Sequence, residues 1–180
     1  MNVRFLLGVC VLIAVLPAKG QEGPVIQEGQ VDASKIVDAL APHKPIRTRS
    51  LQIMREDTDS PGGASQPGKV SLLITFDTNS ANLTSSAKQS LDVVGQALSS
   101  EKLASSRFAI EGHADPRGGA AANLKLSEQR AQSVRNYLVQ NMNIDASRLE
   151  AVGKGDHEQM NKANPLAPEN RRVTIVNLSR

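Results

Sequence analysis

From Lys69 onward the sequence predicts an α+β fold, with strands and helices in the order β-α-β-α-β-β and a sheet covered by helices on one face. Short stretches in which apolar and polar residues alternate predict the strands. Between them lie two longer stretches whose apolar residues recur every three or four positions, which predicts helices. The composition sets the kind of core: 39% of the 180 residues are hydrophobic but only 2% are aromatic, so Val, Leu, Ile and Ala must fill it.

The elements follow in order. Residues 1–20 read as a secretion leader. Arg4 precedes twelve uninterrupted apolar residues (5–16), Pro17 ends the run, and Ala18-Lys19-Gly20 places small residues where a signal peptidase reads, so cleavage is expected after Gly20. As a helix the run would reach about 18 Å, short of a bilayer core of about 30 Å. No transmembrane segment is therefore expected after cleavage. The single cysteine, Cys10, lies inside the run behind Val9, whereas lipidation needs it at the end of the run behind a small residue. The cleaved chain would hold no thiol and no disulfide.

Residues 21–56 read as an extension without a core of its own. Within it, ASKIVDAL at 33–40 predicts two helical turns ahead of Pro42, and 47–54 an extended segment. Residues 57–68, DTDSPGGASQPG, are rich in Gly, Pro and Ser and predict a flexible linker. The domain then occupies 69–180. Val70, Leu72, Ile74 and Phe76 alternate in a first strand. Thr84 or Ser85 is the cap of a helix marked by Ala87, Leu91, Val94 and Leu98. Phe108, Ile110 and Gly112 mark a second strand. Ser127 is the expected cap of a second helix, with Ala131, Val134 and Leu138 on one face. Residues 148–152 and 172–177 predict two more strands.

The net charge of +3 does not point to nucleic acid. Residues 21–68 hold five Lys/Arg against seven Asp/Glu, and residues 69–180 hold fourteen against eleven, with no basic run and no interleaved aromatic rings.

Two polar clusters follow the first two strands: Phe76-Asp77-Thr78-Asn79-Ser80 and Gly112-His113-Ala114-Asp115-Pro116-Arg117-Gly118-Gly119. Loops leaving the C-terminal ends of neighbouring strands converge, and ligands bind there in sheets of this kind. Asp115 is an acceptor-only anion and Arg130 a planar fork of donors. With Arg130 expected in the first turn of its helix, unpaired backbone N–H groups would lie beside it. Together they suit an ammonium and a carboxylate on one carbon, the end group of an amino acid. From spacing alone, a simple Asp115–Arg130 salt bridge, or Asp115 as a turn residue before Pro116, accounts for the pair as well. His113 reads as a packing or hydrogen-bonding residue at a strand end. No metal-ligand spacing, no catalytic constellation and no cofactor motif is evident, and the Gly118-Gly119 pair reads as a tight turn.

Gly112-His113-Ala114-Asp115, Asn123, Leu126-Ser127-Glu128-Gln129-Arg130-Ala131, Val134 and Tyr137-Leu138 resemble the OmpA-like peptidoglycan-binding domain. The flanking Phe76-Asp77-Thr78-Asn79-Ser80-Ala81, Leu83, Ile144-Asp145, Arg148-Leu149, Gly153, Gly155 and Asn170-Arg171-Arg172-Val173 extend the resemblance in order over about 110 residues. It implies a mixed-sheet β/α sandwich that holds the peptide stem of peptidoglycan without cutting it. In that family an aspartate and an arginine grip the amino and carboxylate groups of diaminopimelate, roles that fall on Asp115 and Arg130. Supporting contacts fall on Thr78, Asn79, Asn123 and one arginine of the Arg171-Arg172 pair, taken as Arg171. Ala114 stands where many members have threonine, so one hydroxyl contact is missing. The Gly-His-Ala-Asp run resembles the peptidoglycan-associated lipoprotein branch, without that branch's lipidated cysteine. The expected function is non-catalytic binding of the cell wall in the periplasm of a Gram-negative bacterium, in association with the outer membrane. A protein-interaction module of the same fold, working through residues 33–54 on another envelope protein, is the alternative.

Overall fold

The structure, a computed structural model, describes residues 25–27, 30–41, 67–76 and 80–179. The expected leader, the extended segment at 47–54 and linker positions 57–66 lie outside the described residues.

Helix α1 (Ala33–Leu40) forms where the amphipathic run predicts it, capped by Asp32, whose side chain accepts from the Ser34 N–H at 2.8 Å. It follows a two-residue strand, β1 (Val25–Ile26), that the sequence does not announce. Strand β2 (Lys69–Leu72) leads through an extended segment to α2 (Ser85–Leu98), with Thr84 as its cap. Strand β3 (Phe108–His113), helix α3 (Ala120–Met142), strand β4 (Leu149–Gly155) and strand β5 (Val173–Asn177) complete the order.

The five strands form one mixed sheet in the order β1-β2-β5-β3-β4. β5 lies antiparallel between β2 and β3, whereas β1–β2 and β3–β4 are parallel pairs. Along β2, β3 and β5 the register aligns Val70 with Ile175 and Ile175 with Ile110, and Leu72 with Val173 and Val173 with Gly112. These side chains share one face and meet Leu91, Val94 and Leu98 of α2 and Ala131, Val134 and Leu138 of α3 in a single aliphatic core. Ile36 and Leu40 of α1 are fully buried in that same core. Each such side chain contributes about 1.5–3 kcal/mol of burial. The apolar face of α1 is thus spent on the domain, and the extension and the domain share one interior.

The first strand is shorter than the alternation predicts. Its ladder with β5 ends at Leu72 and Val173. Beyond it the Leu73 N–H still donates to the Ile26 carbonyl at 3.0 Å, the Thr75 carbonyl accepts from the Thr84 hydroxyl at 3.3 Å, and Phe76 bridges Leu83. The fourth expected strand starts at Val173 rather than Arg172, and the third runs from Leu149 to Gly155, with Arg148 in a 3-10 turn.

The larger correction concerns α3. It starts at Ala120, two turns before Ser127, and Gly119 is its cap without a side-chain hydrogen bond. The sequence points to Ser127 because no serine, threonine, aspartate or asparagine marks the true start. Ser127 is an interior residue, fully buried, whose hydroxyl donates to the Leu124 carbonyl at 2.8 Å and accepts from the Gly155 N–H at 2.9 Å. It sits against Gly112, where an added Cβ would lie 2.1 Å from the Ser127 carbonyl oxygen. The backbones of β3 and α3 therefore touch, which fixes the strand end that delivers the polar cluster.

Candidate functional site

The site is built where β3 ends. Gly112 lies on α3, the Ala114 N–H donates to the Gly155 carbonyl at 2.8 Å, and the chain is held until Asp115. Gly118, at φ 99°, turns it into α3, a left-handed conformation that favours glycine. From the first turn of α3, the Asn123 amide donates at 3.2 Å to both the Asp115 carbonyl and the Asp156 carboxylate, tying the loops after β3 and β4 together. Asn123 is thus a positioning residue under the loop. Ala114 is buried and contributes a backbone contact only.

Asp115 is 6% exposed, and arginines surround its carboxylate. Arg117 donates from Nε at 3.1 and 3.2 Å, from Nη2 at 2.6 Å and from its backbone N–H at 3.2 Å. Arg171 donates from Nη1 at 2.9 Å. Arg171 is presented by a 3-10 turn (Pro168–Asn170) organised by Asn170, whose buried amide donates to the carbonyls of Asn161, Asn164 and Pro165. Its neighbour Arg172 points the other way, to the Glu158 carbonyl. Of the two adjacent arginines, Arg171 is the one that faces Asp115.

Arg130 projects from the middle of α3. Its Nε donates to the Ser80 carbonyl at 3.1 Å, and its guanidinium stacks 4.8 Å from the centroid of the Phe76 ring. Burial lowers its pKa, the charge of Arg171 lowers it further, and the carboxylate of Asp115 opposes both, so the three groups share one electrostatic neighbourhood. The expected placement of Arg130 beside a helix N-terminus is corrected, because α3 begins ten residues earlier. Its cation is held instead by a ring face and a carbonyl. The direct Asp115–Arg130 bridge that spacing allows is not among the ion pairs of the described residues, which join Asp115 to Arg117 and Arg171. Thr78 and Asn79 lie outside the described residues, between Phe76 and Ser80. Arg117 and Asp156 are the residues that sequence reasoning gave no role. Arg117 stands in the polar cluster after β3, two positions from Asp115, and Asp156 carries no signal in the sequence.

His113 is 2% exposed at the strand end, and burial followed by the charge of Arg172 pushes its imidazole down to about 3, so it is neutral. Asp115 is pulled from 3.8 to about 2, first by the Arg117 hydrogen bonds and then by Arg171, against the opposing effect of burial. A carboxylate depressed in the fold contributes stability that is complete above 3.8 and lost as pH falls through about 2. The thermal stability of the wild-type chain is therefore expected to drop towards that of Asp115→Asn as pH is lowered across this window. A difference between the two that does not change with pH would show that the ion pairs contribute nothing.

Residues 75–172 match the OmpA family. Outer membrane protein Omp38 of Acinetobacter baumannii is 36% identical over 118 residues, covering 64% of this chain and 33% of its own length. A peptidoglycan-associated lipoprotein of Rhizobium meliloti is 32% identical over 123 residues, covering 63% of this chain and 68% of its own. Among solved structures, the cell wall anchor of the T6SS from Pseudomonas aeruginosa superimposes with a TM-score of 0.54 at 26% identity, over 65% of this chain and 85% of that one. The chain thus spans about a third of the length of the Omp38 relative and two thirds of the lipoprotein.

Proposed function

The chain belongs to the OmpA family, and from that premise we propose that it binds peptidoglycan in the periplasm, without cutting it, through the diaminopimelate of the peptide stem. The observation that supports this most is the buried carboxylate of Asp115 among the guanidinium groups of Arg117 and Arg171, with Arg130 close enough to feel its charge. One anion among three cations suits a zwitterion whose carboxylate is the part most strongly held. In this reading the ligand carboxylate takes Arg130 and Arg171, and its ammonium takes Asp115 in place of Arg117. The Arg117 side chain is 63% exposed, so its guanidinium can be hydrated once released, and the ligand ammonium takes over the hydrogen bonds that Arg117 gives up at the Asp115 carboxylate. Thr78 and Asn79 would complete the rim.

The function proposed is attachment. A protein named for its association with peptidoglycan and a structure described as a cell wall anchor are among the relatives. No helix among the described residues is long and apolar enough to cross a membrane.

Sedimentation with purified cell walls tests the proposal. Walls whose stem peptide contains diaminopimelate should pull the chain down, and free diaminopimelate should release it. Walls with lysine at that position lack the second carboxylate and should not bind. Equal sedimentation with both kinds of wall would overturn the assignment of the ligand. Release of soluble muropeptides would overturn the non-catalytic reading.

A further inference from the structure

On the face of the sheet turned away from the helices, we propose that Glu111, His113 and Glu158 form a site for a divalent transition-metal ion with the coordination habits of Zn²⁺. Gly112 points at α3, so Glu111 and His113, its neighbours on β3, project to the opposite face. There they line a cavity of about 240 Å³ whose wall includes the hydrogen-bonded hydroxyls of Ser71 and Thr174. Glu158 reaches it from the turn after β4. One ligand atom from each of the three residues lies within 4.8 Å of the other two.

The second observation is the histidine itself. Neither ring nitrogen of His113 has a hydrogen-bond partner among the described residues, although the side chain is 2% exposed. Buried polar atoms are nearly always paired, and one that is not requires a reason. A neutral imidazole facing a cavity that two carboxylates also line offers a lone pair suited to a metal ion. The third observation is a cation already in place. The Lys154 ammonium bridges Glu111 at 3.2 Å and Glu158 at 3.0 Å, so a cation occupies the space between these carboxylates; Lys69, Lys162 and Arg172 also line the cavity, and a metal ion must take the place of Lys154.

The donor set selects the ion. One nitrogen and two carboxylate oxygens leave a fourth tetrahedral position for water, the habit of an open zinc site, whereas calcium and magnesium take oxygen alone. Ligand atoms around zinc, bound at about 2.0 Å, stand about 3.3 Å apart. The widest-spaced pair must close by up to about 1.5 Å from a separation within 4.8 Å. Glu158, whose side chain is 54% exposed, has the freedom to do so, and Lys154 must retract into solvent.

The test uses the full chain after removal of metals by a chelator, titrated with Zn²⁺ against a chromogenic indicator. One equivalent should bind saturably. Loss of an outer-shell partner of a metal typically weakens binding about 10–100-fold, so loss of a ligand in Glu158→Gln should weaken it by at least about 100-fold. Lys154→Met, which removes the competing ammonium, should tighten it. Sedimentation with cell walls should be the same for Glu158→Gln and wild type, since this cavity lies apart from Asp115. No saturable binding by the unmodified chain, or equal affinity in Glu158→Gln, overturns the proposal.

Discussion

Asp115→Asn is expected to abolish sedimentation of the chain with diaminopimelate-containing cell walls while the domain stays folded. The substitution keeps the shape of the side chain and its contact under the loop, where the Asn123 amide holds the backbone carbonyl rather than the carboxylate. What it removes is the negative charge and one acceptor oxygen from a group that is 6% exposed. Truncating one partner of a buried, hydrogen-bonded charge pair at an interface costs about 2–5 kcal/mol, which is a roughly 30-fold to several-thousand-fold rise in Kd. Arg130→Ala should lose binding to a similar extent, through the other end of the zwitterion. Both variants should still unfold cooperatively, Asp115→Asn at a Tm lowered by the loss of its ion pairs, and neither should sediment. Full binding by both would mean that the wall is held elsewhere on the domain.

Gly112→Ala is expected to unfold the domain or lower its Tm by at least about 10 °C, as overpacking a rigid contact by about 3 kcal/mol would do. The added methyl group would stand 2.1 Å from the carbonyl oxygen of Ser127, which belongs to helix backbone and has no rotamer to change. Relief requires α3 to move off β3. Ser127 would then leave Gly155, and the loops after β3 and β4 that Asn123 joins would separate. The same substitution at Gly119, where nothing lies within 4 Å of an added Cβ, supplies the control and should lower Tm by only a few °C, the cost of alanine at a helix cap. Equal Tm values for the two variants would show that the close approach is not needed.

The difference between these glycines marks the limit of what the sequence discloses. Alternation and helical spacing reveal β3, α2 and the buried face of α3, because periodicity is a local property of the chain. Asp115, Asn123, Arg130 and Arg171 were legible as a group only through an ordered resemblance to a family, since no local pattern joins residues so far apart. The start of α3 was not legible, because its first turns are small and polar and Gly119 leaves no capping side chain. β1 was not legible either, because two residues have no period and exist as a strand only by pairing with Ser71 and Leu72.

By itself, then, the sequence determined the aliphatic composition of the core, the order of its main elements, and the anion and guanidinium that the proposed site requires. Tertiary structure alone decided how they are joined. It placed β5 between β2 and β3, buried α1 in the common core, and turned Arg171 towards Asp115 and Arg172 away from it. The reason is that strand order and charge pairing depend on distances through space, and residues remote along the chain acquire those distances only when the sheet has closed around its core.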